Sequence, residues 1–210
     1  MRLSIGLLAV WAFATDGPLS DRLRDVENRY NSAKTLEVLF TEQYTPKGSF
    51  QRTESGVILL RKPLRMRWDY SQPKGKLFVC DGKYLWLYNP SENTVEQSPV
   101  KESEDMRLPL AFLLGKLHFE KEFRNIKAQP EGFDLKITAE PKSDDLPYSS
   151  VEFVVAPDSH IKSVKVINSA DYSVLTYAFD QEKMDPPVNP KAFQFEMPKG
   201  AELVKAGPEQ

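Results

Sequence analysis

Residues 56–90 read GVILLRKPLRMRWDYSQPKGKLFVCDGKYLWLYNP, and the alternation in this stretch decides the fold class. From Ile58 the even positions are Ile58, Leu60, Lys62, Leu64, Met66, Trp68 and Tyr70. Successive strand side chains point to opposite faces, so this set shares one face if no bulge intervenes. The positions between them, Arg61, Pro63, Arg65, Arg67 and Asp69, read as a solvent face. An aromatic and aliphatic wall carrying one cation suits a lined hydrophobic compartment. It equally suits an ordinary core with one salt bridge. Further along, Asp81-Gly82 separates two apolar runs, a strong hairpin signal because glycine tolerates the positive φ of a tight turn. Leu77, Phe78, Val79 and Cys80 are apolar without alternation, as are residues 84–88. Both faces of those strands must therefore be covered, by helices, a second sheet or a ligand.

Working outward, a chain of 210 residues with 40% hydrophobic residues can bury one substantial core, so residues 15–210 are read as a single domain. The formal net charge of −2 gives no basis for binding nucleic acid, which needs a dense basic surface. Arg61, Lys62, Arg65 and Arg67 do cluster; three of them face outward on the alternation and form either a solvated face or a docking patch for an acidic partner. Residues 1–14 read as a cleavable secretory signal, with Arg2 before an apolar run and Ala12-Phe13-Ala14 as the small-x-small site. The apolar run is too short for a membrane span of about 20 residues. No cysteine lies near Ala14 to accept a lipid. The single cysteine, Cys80, sits in an apolar strand and reads as a buried structural thiol.

Helical spacing of Leu19, Leu23, Val26 and Tyr30 predicts a first helix over 18–33. Strands are predicted over 35–45, 50–70, 76–88 and 95–100. A second helix follows over 103–115, with Pro109 in its first turn and Gly115 at its stop. Leu108, Leu110, Ala111, Phe112, Leu113 and Leu114 leave that helix apolar all round, which places it deep in a core or between a wall and a greasy ligand. Strands return from Phe119. Phe133, Leu135, Ile137 and Ala139 alternate with polar residues, and further strands are predicted over 149–156, 160–168, 173–180 and 192–197, with a hairpin turn at 168–172. This order implies a strongly curved antiparallel sheet capped by helices.

The set Arg61-Lys62-Pro63, Arg67-Trp68-Asp69-Tyr70, Pro73, Val79-Cys80-Asp81-Gly82 and Leu85-Trp86-Leu87-Tyr88-Asn89-Pro90 resembles the LolA family of periplasmic lipoprotein carriers. The likeness extends to Asp25-Val26, Arg29-Tyr30 and Phe40-Thr41, and downstream to residues 193–200. It implies an unclosed antiparallel β-barrel covered by a helical lid, the lid being the helix over 103–115. It implies a periplasmic, monomeric carrier that takes lipidated proteins from an inner-membrane lipoprotein-releasing ABC transporter to an outer-membrane acceptor such as a LolB-like lipoprotein. On that reading Val26, Tyr30, Leu60, Met66, Trp68, Leu110, Leu113 and Leu114 line the acyl-chain cavity. Lys62 stands where the family usually has an arginine that latches the lid. Lysine lacks arginine's planar fork and makes fewer simultaneous bonds. From the residues alone, a wall lysine that reaches out to water is the competing reading.

An enzyme is disfavoured. His118 and His160 have no His or Cys neighbours at metal-ligand spacing, no phosphate loop or nucleophile elbow is visible, and Asp144-Asp145 sits in a polar loop. No catalytic residue, cofactor or metal is expected. The runner-up is an RseB-like envelope sensor of mislocalised lipoproteins or lipid.

Overall fold

In the computed structural model, residues 16–100, 117–144 and 146–205 are described. The predicted signal segment and the predicted second helix, with Leu110, Leu113 and Leu114, lie outside them. Helix α1 (Asp16–Ser32) precedes six strands: β1 (Thr35–Thr45), β2 (Arg52–Arg61), β3 (Arg65–Gln72), β4 (Leu77–Cys80), β5 (Tyr84–Asn89) and β6 (Thr94–Pro99). A single turn, α2 (Phe119–Glu122), leads to β7 (Phe123–Glu131), β8 (Asp134–Pro141), β9 (Tyr148–Val155), β10 (Ile161–Asn168) and β11 (Val174–Met184). A 3₁₀ turn at Pro190–Phe193 and a last strand, β12 (Glu202–Lys205), complete the chain. Among the described residues, all twelve strands form one sheet in the order β12-β6-β5-β4-β3-β2-β1-β11-β10-β9-β8-β7. Its neighbours are antiparallel except β12 and β6, which run parallel.

The alternation around Ile58 resolves into a hairpin rather than one strand. Ile58 pairs with Trp68, Leu60 with Met66 and Gly56 with Tyr70, so the even positions of both strands do share one face. Leu64 leaves that face at the turn, with φ 54°. Phe40, opposite Gly56 and Phe179, continues the same face, and Tyr177, two residues from Phe179, carries it on through the direct pairs Tyr177–Val164, Val164–Phe153 and Phe153–Ile137. Leu23, Val26 and Tyr30 of α1 pack into this apolar cluster.

The opposite face explains the unalternating strands β4 and β5. Val79, Val95 and Phe193 are buried yet stand apart from the main cluster, and the Phe195 ring stacks on Trp86 with centroids 4.9 Å apart. Residues 190–200 thus cross the outside of β3–β6. Arg67 donates to the Ala192 carbonyl at 3.2 Å and Asn93 to the Gly200 carbonyl at 2.7 Å. The strand expected over 192–197 is this strap instead: its backbone pairs with no ladder until β12 joins β6. Phe133 is a second correction. It sits at the β7–β8 turn, 95% exposed, and only Leu135, Ile137 and Ala139 carry the alternation inward. A third is Phe119, which opens α2 rather than a strand.

Gly56 sits at a bulge beside Ser55, where β2 and β3 approach so closely that an added Cβ would collide with the Asp69 carbonyl oxygen. Backbone on both sides must move to admit even one methyl. Gly56→Ala is therefore expected to cost about 3 kcal/mol or more, measured as a lowered urea midpoint with an unchanged slope; a loss near zero would show that the strands part freely.

Candidate functional site

The inner face has two chemically different regions. The first is a packed aromatic and aliphatic wall. Trp68 lies at its centre, with ring centroids 4.9 Å from Phe40, 5.7 Å from Tyr177, 6.1 Å from Phe78 and 6.2 Å from Tyr70. Its indole N–H points at the Met66 sulfur, so the one polar atom of the ring is satisfied inside the wall. Of the residues expected to line a cavity, Val26, Tyr30, Leu60, Met66 and Trp68 are all brought into this one cluster, from fully buried Val26 to Trp68 at 6% exposure. The wall is closed over in this conformation.

Helix α1 is held across one end of the wall by polar bonds to strands on either side. The Tyr30 hydroxyl donates to Glu182 at 2.7 Å and accepts the Ile161 N–H at 2.8 Å. Arg29 makes an ion pair with the same carboxylate at 2.6 Å. Burial first, then the Glu182 charge, pushes the Tyr30 phenol far above its ordinary range, so it stays a donor. Asn31 both accepts from and donates to the backbone of Leu117, at 2.6 and 2.8 Å, and Glu27 accepts the Phe119 N–H at 2.7 Å.

Lys62 approaches α1 from the β2 side. Its Nζ donates to the Tyr30 backbone carbonyl at 2.5 Å, one of the four carbonyls that a helix end leaves without partners. Partial burial lowers the ammonium pKa, against the opposing pull of Asp185. A void of about 10 Å³, room for one water, lies between Lys62, Tyr30 and Leu60.

The second region is a polar rim at the far ends of β1, β2 and β11. Glu42 and Glu54 are direct cross-strand partners, and Glu42 also faces Tyr177 on β11. Glu54 is ion-paired with Lys76 at 2.5 Å, and that ammonium stands 4.6 Å above the Tyr70 ring. Burial, followed by the charge of Glu54, raises the Glu42 carboxyl, and the Tyr177 hydroxyl, donating to it, pulls the other way. Sequence reading passed over this rim. Its signal was present: Glu42 and Glu54 continue the parity of Phe40 and Gly56, and so belong to the inner face.

Elsewhere, the other polar candidates are structural. His160 contacts Asp158 at 2.6 Å in an exposed turn. The Cys80 thiol is buried and donates to the Leu64 carbonyl. Arg67 is committed to Asp69 and the strap. Among the described residues no cluster of three or more metal-ligating side chains occurs.

A family model described as "Outer membrane lipoprotein carrier protein LolA" matches residues 31–196. An outer-membrane lipoprotein carrier protein of Chromobacterium violaceum is 26% identical over 178 residues, covering 83% of this chain and 82% of that protein. Its counterpart in Nitrosomonas europaea is 24% identical, covering 87% and 88%. Among solved structures, an uncharacterized conserved protein from Thermus thermophilus superposes with a TM-score of 0.53 at 12% identity, over 90% of this chain and 99% of that one. MucB reaches 0.52 at 11% identity, over 87% of this chain and 64% of its own. These two likenesses concern the fold alone.

Because the Glu42 pKa is raised on folding, the native state holds its proton more tightly than the unfolded chain. Its contribution is full below the unfolded carboxyl value of about 4.3 and is lost as pH rises through the folded one. Glu42→Gln removes this loss. The variant's stability is expected to be flatter than wild type as pH climbs from about 4 to 7, checked by urea midpoints across that window; parallel profiles would refute the assignment.

Proposed function

The chain belongs to the LolA family of outer-membrane lipoprotein carriers, and we propose that it carries lipidated proteins through the periplasm with their acyl chains sheltered against its inner wall. The observation that carries this reading is the aromatic and aliphatic inner face, continuous over β1–β4 and β8–β11 and centred on Trp68. An acyl chain gains about 0.8 kcal/mol per methylene on leaving water, so a chain of about sixteen carbons gains on the order of 12 kcal/mol, before the cost of parting the packed interior. A carrier needs this difference to be favourable but small enough to reverse. A wall that closes on itself when empty supplies that competition and keeps apolar surface from water.

Val26, Tyr30, Leu60, Met66 and Trp68 are the described residues proposed to meet acyl chains. Leu110, Leu113 and Leu114 are retained in the proposal on the family likeness alone. The cargo is received from an inner-membrane ABC transporter and passed to a LolB-like acceptor, and the carrier works as a monomer without cofactor. No catalytic group is required, because burial and release involve no covalent step.

Lys62 is the proposed latch. Its bond to the Tyr30 carbonyl ties β2 to the end of α1 in the closed form, so removing it shifts the balance toward the open, loaded form.

Incubation of the purified protein with spheroplasts is expected to release a lipidated protein into the medium and to leave its counterpart lacking the acylated cysteine unaffected. Release of neither, or of both alike, would end the carrier reading. Lys62→Leu is expected to load normally and to surrender cargo to the acceptor several-fold more slowly. Unchanged transfer kinetics would retire the latch.

A further inference from the structure

A cleft of about 350 Å³ opens on the inner face beside the polar rim. Arg52 and Glu54 border it from β2, Lys76 from the turn before β4, Leu87 from β5, and Thr94 and Glu96 from β6. Two cations stand among two carboxylates, so the lining has no net charge. Both cations are also engaged already: Lys76 with Glu54 and the Tyr70 ring, and Arg52 with the Tyr44 ring, 4.9 Å from its centroid. An anionic phosphate would sit beside Glu54 and Glu96 with no surplus of positive charge to hold it, so the cleft is poorly suited to a phospholipid head.

What it offers is hydrogen bonding to neutral groups. Thr94 lines it with a hydroxyl, and the Lys76 ammonium has three hydrogens, so it can donate to a carbonyl while keeping Glu54; the Ser91 hydroxyl is spent on Asn89 at 2.8 Å. It is also contiguous with the apolar wall. Leu87 is the cross-strand partner of Phe78, whose ring meets Trp68, and the Lys76 ammonium caps Tyr70, which meets Phe40 at 5.2 Å. The matching occupant has long apolar tails joined directly to an uncharged head rich in carbonyl oxygens.

We propose that this cleft is the subsite for the head of the lipidated N-terminal residue: its glycerol esters and the first amide bonds of the peptide, held while the acyl chains lie along the wall. This rests on the carrier reading and adds to it a means of distinguishing an acylated protein from a free fatty acid or a phospholipid. The donors named above meet the ester and amide carbonyls. Leu87 marks the boundary at which the head gives way to the tails.

The test compares three probes on the full mature chain: a synthetic triacylated cysteinyl peptide, a free saturated fatty acid, and phosphatidylglycerol, each followed by displacement of a fluorescent acyl reporter. Thr94→Trp fills the cleft and Thr94→Val removes one hydroxyl without changing shape. The first is expected to weaken the lipopeptide at least tenfold and the second about threefold, with fatty-acid affinity within twofold of wild type for both. Thr94→Val decides the matter should the tryptophan variant fail to fold. Equal losses for fatty acid and lipopeptide, or no loss for lipopeptide, overturn the subsite while leaving the carrier reading intact. A loss greatest for phosphatidylglycerol overturns it in favour of a phosphate head. Failure of the wild type to bind any of the three removes the carrier reading and this proposal with it.

Discussion

The hydroxyl of Tyr30 is the joint on which this architecture turns. A wide sheet with an apolar inner face needs something laid across that face, and one amphipathic helix such as α1 has little area with which to hold its place. Apolar packing is not directional, so it fixes the burial of α1 but not its bearing. The bearing comes from one buried phenol that donates to Glu182 and accepts from Ile161, with Arg29 balancing the carboxylate. Losing that hydroxyl would strand the buried Ile161 N–H, at a penalty of about 1–3 kcal/mol, and leave Glu182 held by Arg29 alone. The same helix carries the carbonyl that receives Lys62 and the side chains that receive Leu117 and Phe119. Its orientation therefore sets the approach of β2 on one flank and of the chain entering α2 on the other.

The outer strap shows how a sheet can be apolar on both faces without a second layer. Residues 190–200 bury Phe193 and stack Phe195 on Trp86, on the side of the sheet where Val79 and Val95 are buried, with Arg67 reaching across to a strap carbonyl. Asp81 stiffens the hairpin beneath. Burial raises its carboxyl, but the N–H groups of Tyr84, Lys83 and Trp86 more than offset this and hold it below the usual range. The inner face is thus left free for a different role, because β4 and β5 gain their support from outside.

Much of the fold was legible because the side-chain period of two survives a tight turn. Ile58, Leu60, Met66 and Trp68 alternate as one strand would and lie on two, yet their pairing restores them to a common face. Phe193 and Phe195 also alternate, but alternation reports burial and not hydrogen-bond partners, so a strap and a strand look alike in sequence. On the wall, Val26 and Tyr30 announced themselves by helical spacing and Trp68 by strand parity. The rim did not, since Glu42, Glu54 and Lys76 resemble any solvated strand end until the register brings them together over Tyr70 and Tyr177. The contact of Lys62 was half legible: a cation on an apolar face needs a partner, but nothing in the residues points to the Tyr30 carbonyl rather than to water or a lid.

The sheet order begins at β12 and finishes at β7, and the described residues pair these two margins with nothing beyond their single neighbours. β7 is a guarded margin, with Pro130 lacking an N–H and Arg124, Lys127 and Glu131 along its length, features that discourage a stray strand from adding there. An unsewn seam has a mechanical consequence. The two lips of the vessel can draw apart, or roll together, while every rung between neighbouring strands stays intact. Girth then becomes a matter of side-chain repacking alone, in a wrapper that never has to be torn.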